Sequence, residues 1–226
     1  MRSGAQDRSE GSRPGEAGVG APGRAVRGHR GPVPLGFAVV GAILLLPRPA
    51  AAHLVTTGLG PYYDGIGHLL VTPQDMLPLL GLALLGGLAG PQAARHILFG
   101  VPTAWFLGGL VGLAWSTEIT LPVVVSLTVL AVGGLLAADR RLGPGAVAGI
   151  GIGVALLHGF LNGTAMSASA LGLRALAGIT CTAFVLLALT AALGVAFREG
   201  WTRIAIRVAG SWMVATGLFM LGWAIR

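Results

Sequence analysis

Along this chain, apolar residues gather into long runs, and short links rich in glycine, proline and arginine separate them. Six runs approach or reach the roughly 17 to 25 residues that a helix needs to cross a bilayer. They cover residues 73–88, 97–115, 119–138, 145–166, 175–197 and 204–225. The pattern predicts an all-α fold, a polytopic membrane helix bundle of six transmembrane helices. The first run is short for a crossing. The stretch before it, GPYYDGIGHLLV, either lengthens it or lies in the interface with Tyr62 and Tyr63 at headgroup level.

An earlier apolar run, PLGFAVVGAILLL at 34–46, has the length of a signal-peptide core and is followed by PRPAAAH. Ala50 and Ala52 stand at the small-residue positions of a cleavage site that makes His53 the mature N-terminus. An uncleaved first transmembrane helix is the other reading of this run. The expected organisation is a leader and signal peptide over 1–52, an extracytoplasmic or interfacial segment over 53–72, and a six-helix transmembrane domain over 73–226.

Composition supports a bilayer as the solvent. Hydrophobic residues make up 54% of the 226 and charged residues 10%, and the mean hydropathy is +0.80. A soluble domain carries far more charge. The net charge of +7 does not point to nucleic acid, because the basic residues sit at the N-terminus and between apolar runs and not in a surface stripe. With the mature N-terminus outside, Arg95, Arg140, Arg141, Arg198 and Arg203 fall at cytoplasmic ends, and only Arg174 and Arg226 fall outside. The positive-inside rule agrees, and the expected location is a bacterial inner membrane. Cys181 is the one cysteine, which excludes an intrachain disulfide and a thiolate cluster. No GxxxxGK[ST] motif is present and the links are short, so transport, if any, is uniport or ion-coupled.

Polar residues inside the apolar runs are the candidate chemistry. A helix rising from Gly145 carries His158 about 20 Å across, into the outer half, with Asn162 one turn further out on the same face. Asp75 lies in the outermost turn of the 73–88 run, and His68 just precedes that run. Depth therefore allows His68, Asp75, His158 and Asn162 to meet near the outer mouth. Plainer roles exist for each. Asp75 in TPQD has the position of a capping-box acid, with Thr72 as N-cap and Pro73 at the first helical position. His68 has the position of a solvated interfacial residue. His158 and Asn162 have those of an interhelical hydrogen bond, although ionisable groups in hydrocarbon usually mark function. Gly145, Gly149 and Gly153 fall at the four-residue spacing that permits close helix approach.

A signal followed by six spans, with these residues at these places, resembles the HupE/UreJ family of small permeases associated with nickel or cobalt supply to hydrogenase and urease. The family's first-span motif, approximately HPxxGxDH, is similar to His68-Leu-Leu-Val-Thr-Pro-Gln-Asp75-Met76. Its fourth-span motif, approximately HGxxHG, is similar to His158-Gly-Phe-Leu-Asn162-Gly163. The resemblance implies that His68, Asp75 and His158 lie on a metal path. Three departures accompany it: the first motif is one residue longer here, Met76 stands where that motif ends in histidine, and Asn162 replaces the second histidine of the other. Imidazole suits nickel, zinc or copper and thioether suits copper(I), so these exchanges bear on which metal passes.

Two function classes follow. In the first, the protein is a secondary permease for a divalent transition metal such as nickel or cobalt; His68, Asp75 and Met76 receive the cation, and His158 and Asn162 pass it inward. In the second, it is a non-transporting membrane subunit that assists metalloenzyme assembly. A membrane enzyme ranks last, because no nucleophile and base stand at a suitable spacing. The expected partners are the metal ion as cargo and the lipid bilayer, with no nucleic acid and no permanently bound cofactor. Whether copies of the chain associate as a homo-oligomer stays open.

Overall fold

The computed structural model describes residues 56–226, except 116, 141, 168, 170, 171 and 197–199. The signal-peptide run, the cleavage site and His53 lie outside the described residues, as does Arg141. The described chain is all-helical. Its seven helices are α1 (Pro61–Val71), α2 (Pro73–Ala89), α3 (Pro91–Leu113), α4 (Pro122–Ala137), α5 (Pro144–Met166), α6 (Gly172–Ala196) and α7 (Trp201–Ala224).

Proline sets most of the starts. Pro61, Pro73, Pro91, Pro122 and Pro144 open α1 to α5 at the first turn, where a missing N–H costs nothing and the ring fixes a helical φ. The residue before a proline is pushed out of the helical region. Thr72 accordingly sits at φ −102° and ψ 92°, and α1 and α2 meet there at a bend of 74°. At Gly90 a φ of 111° closes α2 and turns the chain into α3, a conformation strained for any residue with a Cβ.

Four helices are long and apolar enough to cross a membrane: α3, α5, α6 and α7. The bent pair α1 and α2 passes the same test when taken together, while α4, at 16 residues, is shorter. The sequence pattern placed the first crossing at 73–88, with the stretch before it either lengthening that crossing or lying in the interface. In the structure the preceding residues form a separate helix at a steep angle to it, because Thr72-Pro73 breaks the rod.

Helix α2 is the hub and packs against each of the other six. Its Leu79, Leu82 and Ala83 join Ile97, Val101 and Trp105 of α3 and Leu176, Ile179 and Leu187 of α6 in one buried core. The most extensive close crossing is between α3 and α5. There the backbones touch, and a Cβ on Gly159 would run into the Trp105 carbonyl, one on Gly163 into the Gly109 carbonyl, and one on Gly108 into the Leu156 carbonyl. Small residues let membrane helices approach to van der Waals distance. The spacing argument had chosen Gly145, Gly149 and Gly153 for this role, yet all three face open space. Helix α7 packs mainly on α4, and Arg203 Nε donates to both carboxylate oxygens of Asp139, at 3.0 and 2.8 Å, at one end of that pair. Trp212 and Phe219 on its outer side are largely exposed, as a lipid-facing surface requires.

Candidate functional site

The polar centre of the described chain is built on the first turn of α2. Thr72 is the N-cap residue of this helix, and its carbonyl accepts from the backbone N–H of Asp75 and Met76 at 3.1 and 3.0 Å. Its side chain makes no capping bond. The capping-box role for Asp75 is overturned with it: the carboxylate turns inward, is buried, and faces α5. Because the α1–α2 bend aims the start of α2 into the bundle, a residue expected at the rim becomes a core residue.

Three side chains surround this carboxylate. His158 Nδ1 lies 2.7 Å from Oδ1. Asn162 Nδ2 donates to Oδ2 at 3.1 Å and to the His158 carbonyl, one turn below on its own helix, at 2.8 Å. From α1, His68 Nε2 comes within 3.5 Å of Oδ2, so it is not a freely solvated residue. The four-residue step between His158 and Asn162 puts both on the face of α5 that meets α2. His158 is fully buried, with the Trp105 ring of α3 at 5.5 Å between centroids on one side.

The structure thus brings together four of the five residues singled out from the sequence. Met76 is half-buried and lies about 100° further round the helix than Asp75. Its sulfur is not among the partners of the other four, because the α2 residue that faces α5 is Asp75.

Two further residues complete the centre, and sequence reasoning passed over both. Thr128 of α4 has its hydroxyl 2.9 Å from His158 Nε2 and within donating distance of the Val125 carbonyl, at 2.7 Å. Trp105 contributes its ring and a buried Nε1 that has no hydrogen-bond partner. The signal for Thr128 was a hydroxyl inside an apolar run. The same signal marks Ser126, Thr103 and Thr180, which only back-bond to carbonyls of their own helices.

A bonded chain therefore runs from α4 through His158 to Asp75 and on to Asn162 and His68. In this arrangement the ligating atoms are turned on one another. Among the described residues no three of the His, Cys, Asp and Glu side chains are arranged to hold a metal ion together. One acceptor is left over: Asn162 Oδ1 is buried and unpaired. A buried carbonyl without a donor is costly, and a cation or a water molecule satisfies it.

The family model described as HupE / UreJ protein matches residues 41–220 of the chain. No curated protein and no solved structure matches it.

Proposed function

The chain belongs to the HupE/UreJ family, associated with nickel or cobalt transport and with urease and hydrogenase maturation, and on that premise we propose that it is a secondary permease for a divalent transition metal such as nickel or cobalt. It lies in the bacterial inner membrane with six crossings, α1 and α2 forming one broken crossing and α3 to α7 the other five. The mature N-terminus is outside, following cleavage after Ala52.

The observation that carries this reading is the buried contact between Asp75 and His158, with His68 and the unpaired Asn162 Oδ1 around it. Ionisable groups at membrane depth are costly and stand on substrate paths far more often than on lipid-facing walls. His68, on the outer arm of the bent pair, receives the cation. The Asp75 carboxylate supplies the negative charge that offsets its dehydration. His158 offers a borderline nitrogen ligand, and Asn162 a weak neutral oxygen from which the ion departs easily. Broken helices at the substrate level are a recurring feature of secondary transporters, and the bend at Thr72 stands four residues from His68 and three from Asp75.

A second reading, a non-transporting assembly subunit, draws on the saturation of Asp75 by groups of the chain itself. Nickel and cobalt accumulation by cells expressing the protein distinguishes the two. Uptake above vector-only cells that disappears in His158→Gln at equal protein level supports the permease. Uptake equal to the vector control in the wild type refutes it and favours the accessory role.

A further inference from the structure

Both ring nitrogens of His158 are occupied: Nδ1 by Asp75 at 2.7 Å and Nε2 by Thr128 at 2.9 Å. An imidazole coordinates a metal through one nitrogen while the other is held by a carboxylate or carbonyl that fixes ring orientation. Asp75 is already placed as that orienting carboxylate. The nitrogen left for cargo is Nε2, and Thr128 covers it.

The contact that covers it is a thin one. Helices α4 and α5 do not pack closely on each other; α4 rests on α2 and α7, and α5 on α3, α2 and α6. Among the described residues, two side-chain bonds join α4 and its preceding link to α5: Thr128 with His158, and the Ile119 N–H donating to Thr164 Oγ1 at 3.3 Å. In the neutral ring whose Nδ1–H donates to Asp75, Nε2 is an acceptor, so the one proton of the Thr128 hydroxyl has two acceptors within reach, Nε2 at 2.9 Å and the Val125 carbonyl at 2.7 Å. Swinging that proton wholly to Val125 keeps the hydroxyl bonded and withdraws it from Nε2, so the cover is released without leaving an orphaned group.

Resting on the permease reading, we propose that Thr128 is a latch: its hydroxyl closes His158 Nε2 and yields to the incoming cation as α4 parts from α5. Thr128 is a positioning residue here and not a ligand. Removing its hydroxyl frees Nε2 in advance, so metal binding no longer has to break that hydrogen bond.

Purified wild type, Thr128→Val and Thr128→Ser in detergent, titrated with Co²⁺ and followed by calorimetry and visible absorption, test this. Thr128→Val is expected to bind Co²⁺ about 2- to 10-fold tighter than wild type, the equivalent of one ordinary hydrogen bond. Thr128→Ser, which keeps the hydroxyl, should return to the wild-type affinity. Thr128→Ala removes the hydroxyl without adding an apolar methyl beside the ring, and it serves in place of the valine variant if that one fails to fold. Equal or weaker binding in the hydroxyl-free variant overturns the latch, and weaker binding would make Thr128 a ligand. Wild type that binds no Co²⁺ overturns the permease reading and the latch with it, whereas binding in wild type without a gain in Thr128→Val overturns the latch alone.

Discussion

Asp75 Oδ1 and His158 Nδ1 lie 2.7 Å apart although 83 residues separate them in the chain. The pair ties the first turn of α2 to the third quarter of α5 in the middle of the core. Each residue removes the other's reason to be unstable there, because an imidazole N–H and a carboxylate oxygen satisfy one another where water does not reach. Any variant that touches one must therefore be judged on both fold and uptake.

Asp75→Asn should separate the two roles. The amide keeps the shape, but it has one acceptor oxygen where the carboxylate has two, and it loses the charge. A loss of about 1.5 to 3 kcal/mol in stability is expected for hydrogen bonds to a charged group, read as a lower melting temperature in detergent. Uptake should fall mainly at low metal concentration, as a raised half-saturation with a preserved maximal rate. A normal half-saturation at equal protein level would remove Asp75 from the path.

His158→Gln keeps side-chain bulk beside Trp105 and one polar group, and loses both ring nitrogens. Metal uptake should drop to the vector level while the protein remains in the membrane. If uptake persists at equal expression, this histidine is a bond between helices and nothing more. A purely structural histidine would show its loss in stability alone, as a lower melting temperature in detergent at unchanged uptake.

Asn162→His restores the second imidazole of the family motif at a position already 3.1 Å from Asp75 Oδ2. A stronger ligand beside the carboxylate should tighten Co²⁺ binding about tenfold. The same change should slow release, so that the maximal uptake rate falls while the half-saturation improves. Unchanged affinity would place Asn162 outside the metal's reach.

Gly159→Ala tests the α3–α5 crossing apart from the site's chemistry. The added Cβ meets the Trp105 carbonyl, so the helices must separate, at a cost of about 1 to 3 kcal/mol. Gly149→Ala is the control, since that position faces open space and lies within a helix, where alanine is favoured over glycine by about 1 kcal/mol. Melting curves in detergent should show the first variant less stable than wild type and the second equal or more stable.

Fusions of a reporter at Leu142 and at Ser169 should score cytoplasmic and external. The two positions bracket α5, whose polar face carries His158 and Asn162 toward the outer half only in that orientation. The reverse pattern would place the cluster in the inner half and turn an entry site into an exit site.

Hydropathy by itself determined that this is a helical membrane protein, and proline determined where five of its helices begin, because both are local properties of the chain. The polar exceptions His158 and Asn162 among their greasy neighbours were equally legible, since a polar residue in an apolar run stands out in any window. Which face of each helix looks inward was not legible. In water a helix writes its buried side as an apolar stripe, but lipid is as apolar as the core, so helices such as α4 are hydrophobic all round and their periodicity is silent. For that reason the tertiary structure alone decided that Asp75 turns away from its capping position and Met76 away from the cluster. It decided that Gly159 and Gly163, and not Gly145 or Gly149, carry the close crossing. It also selected Thr128 from several hydroxyls of the same kind, because only the packing of α4 on α2 sets that one hydroxyl beside the His158 ring.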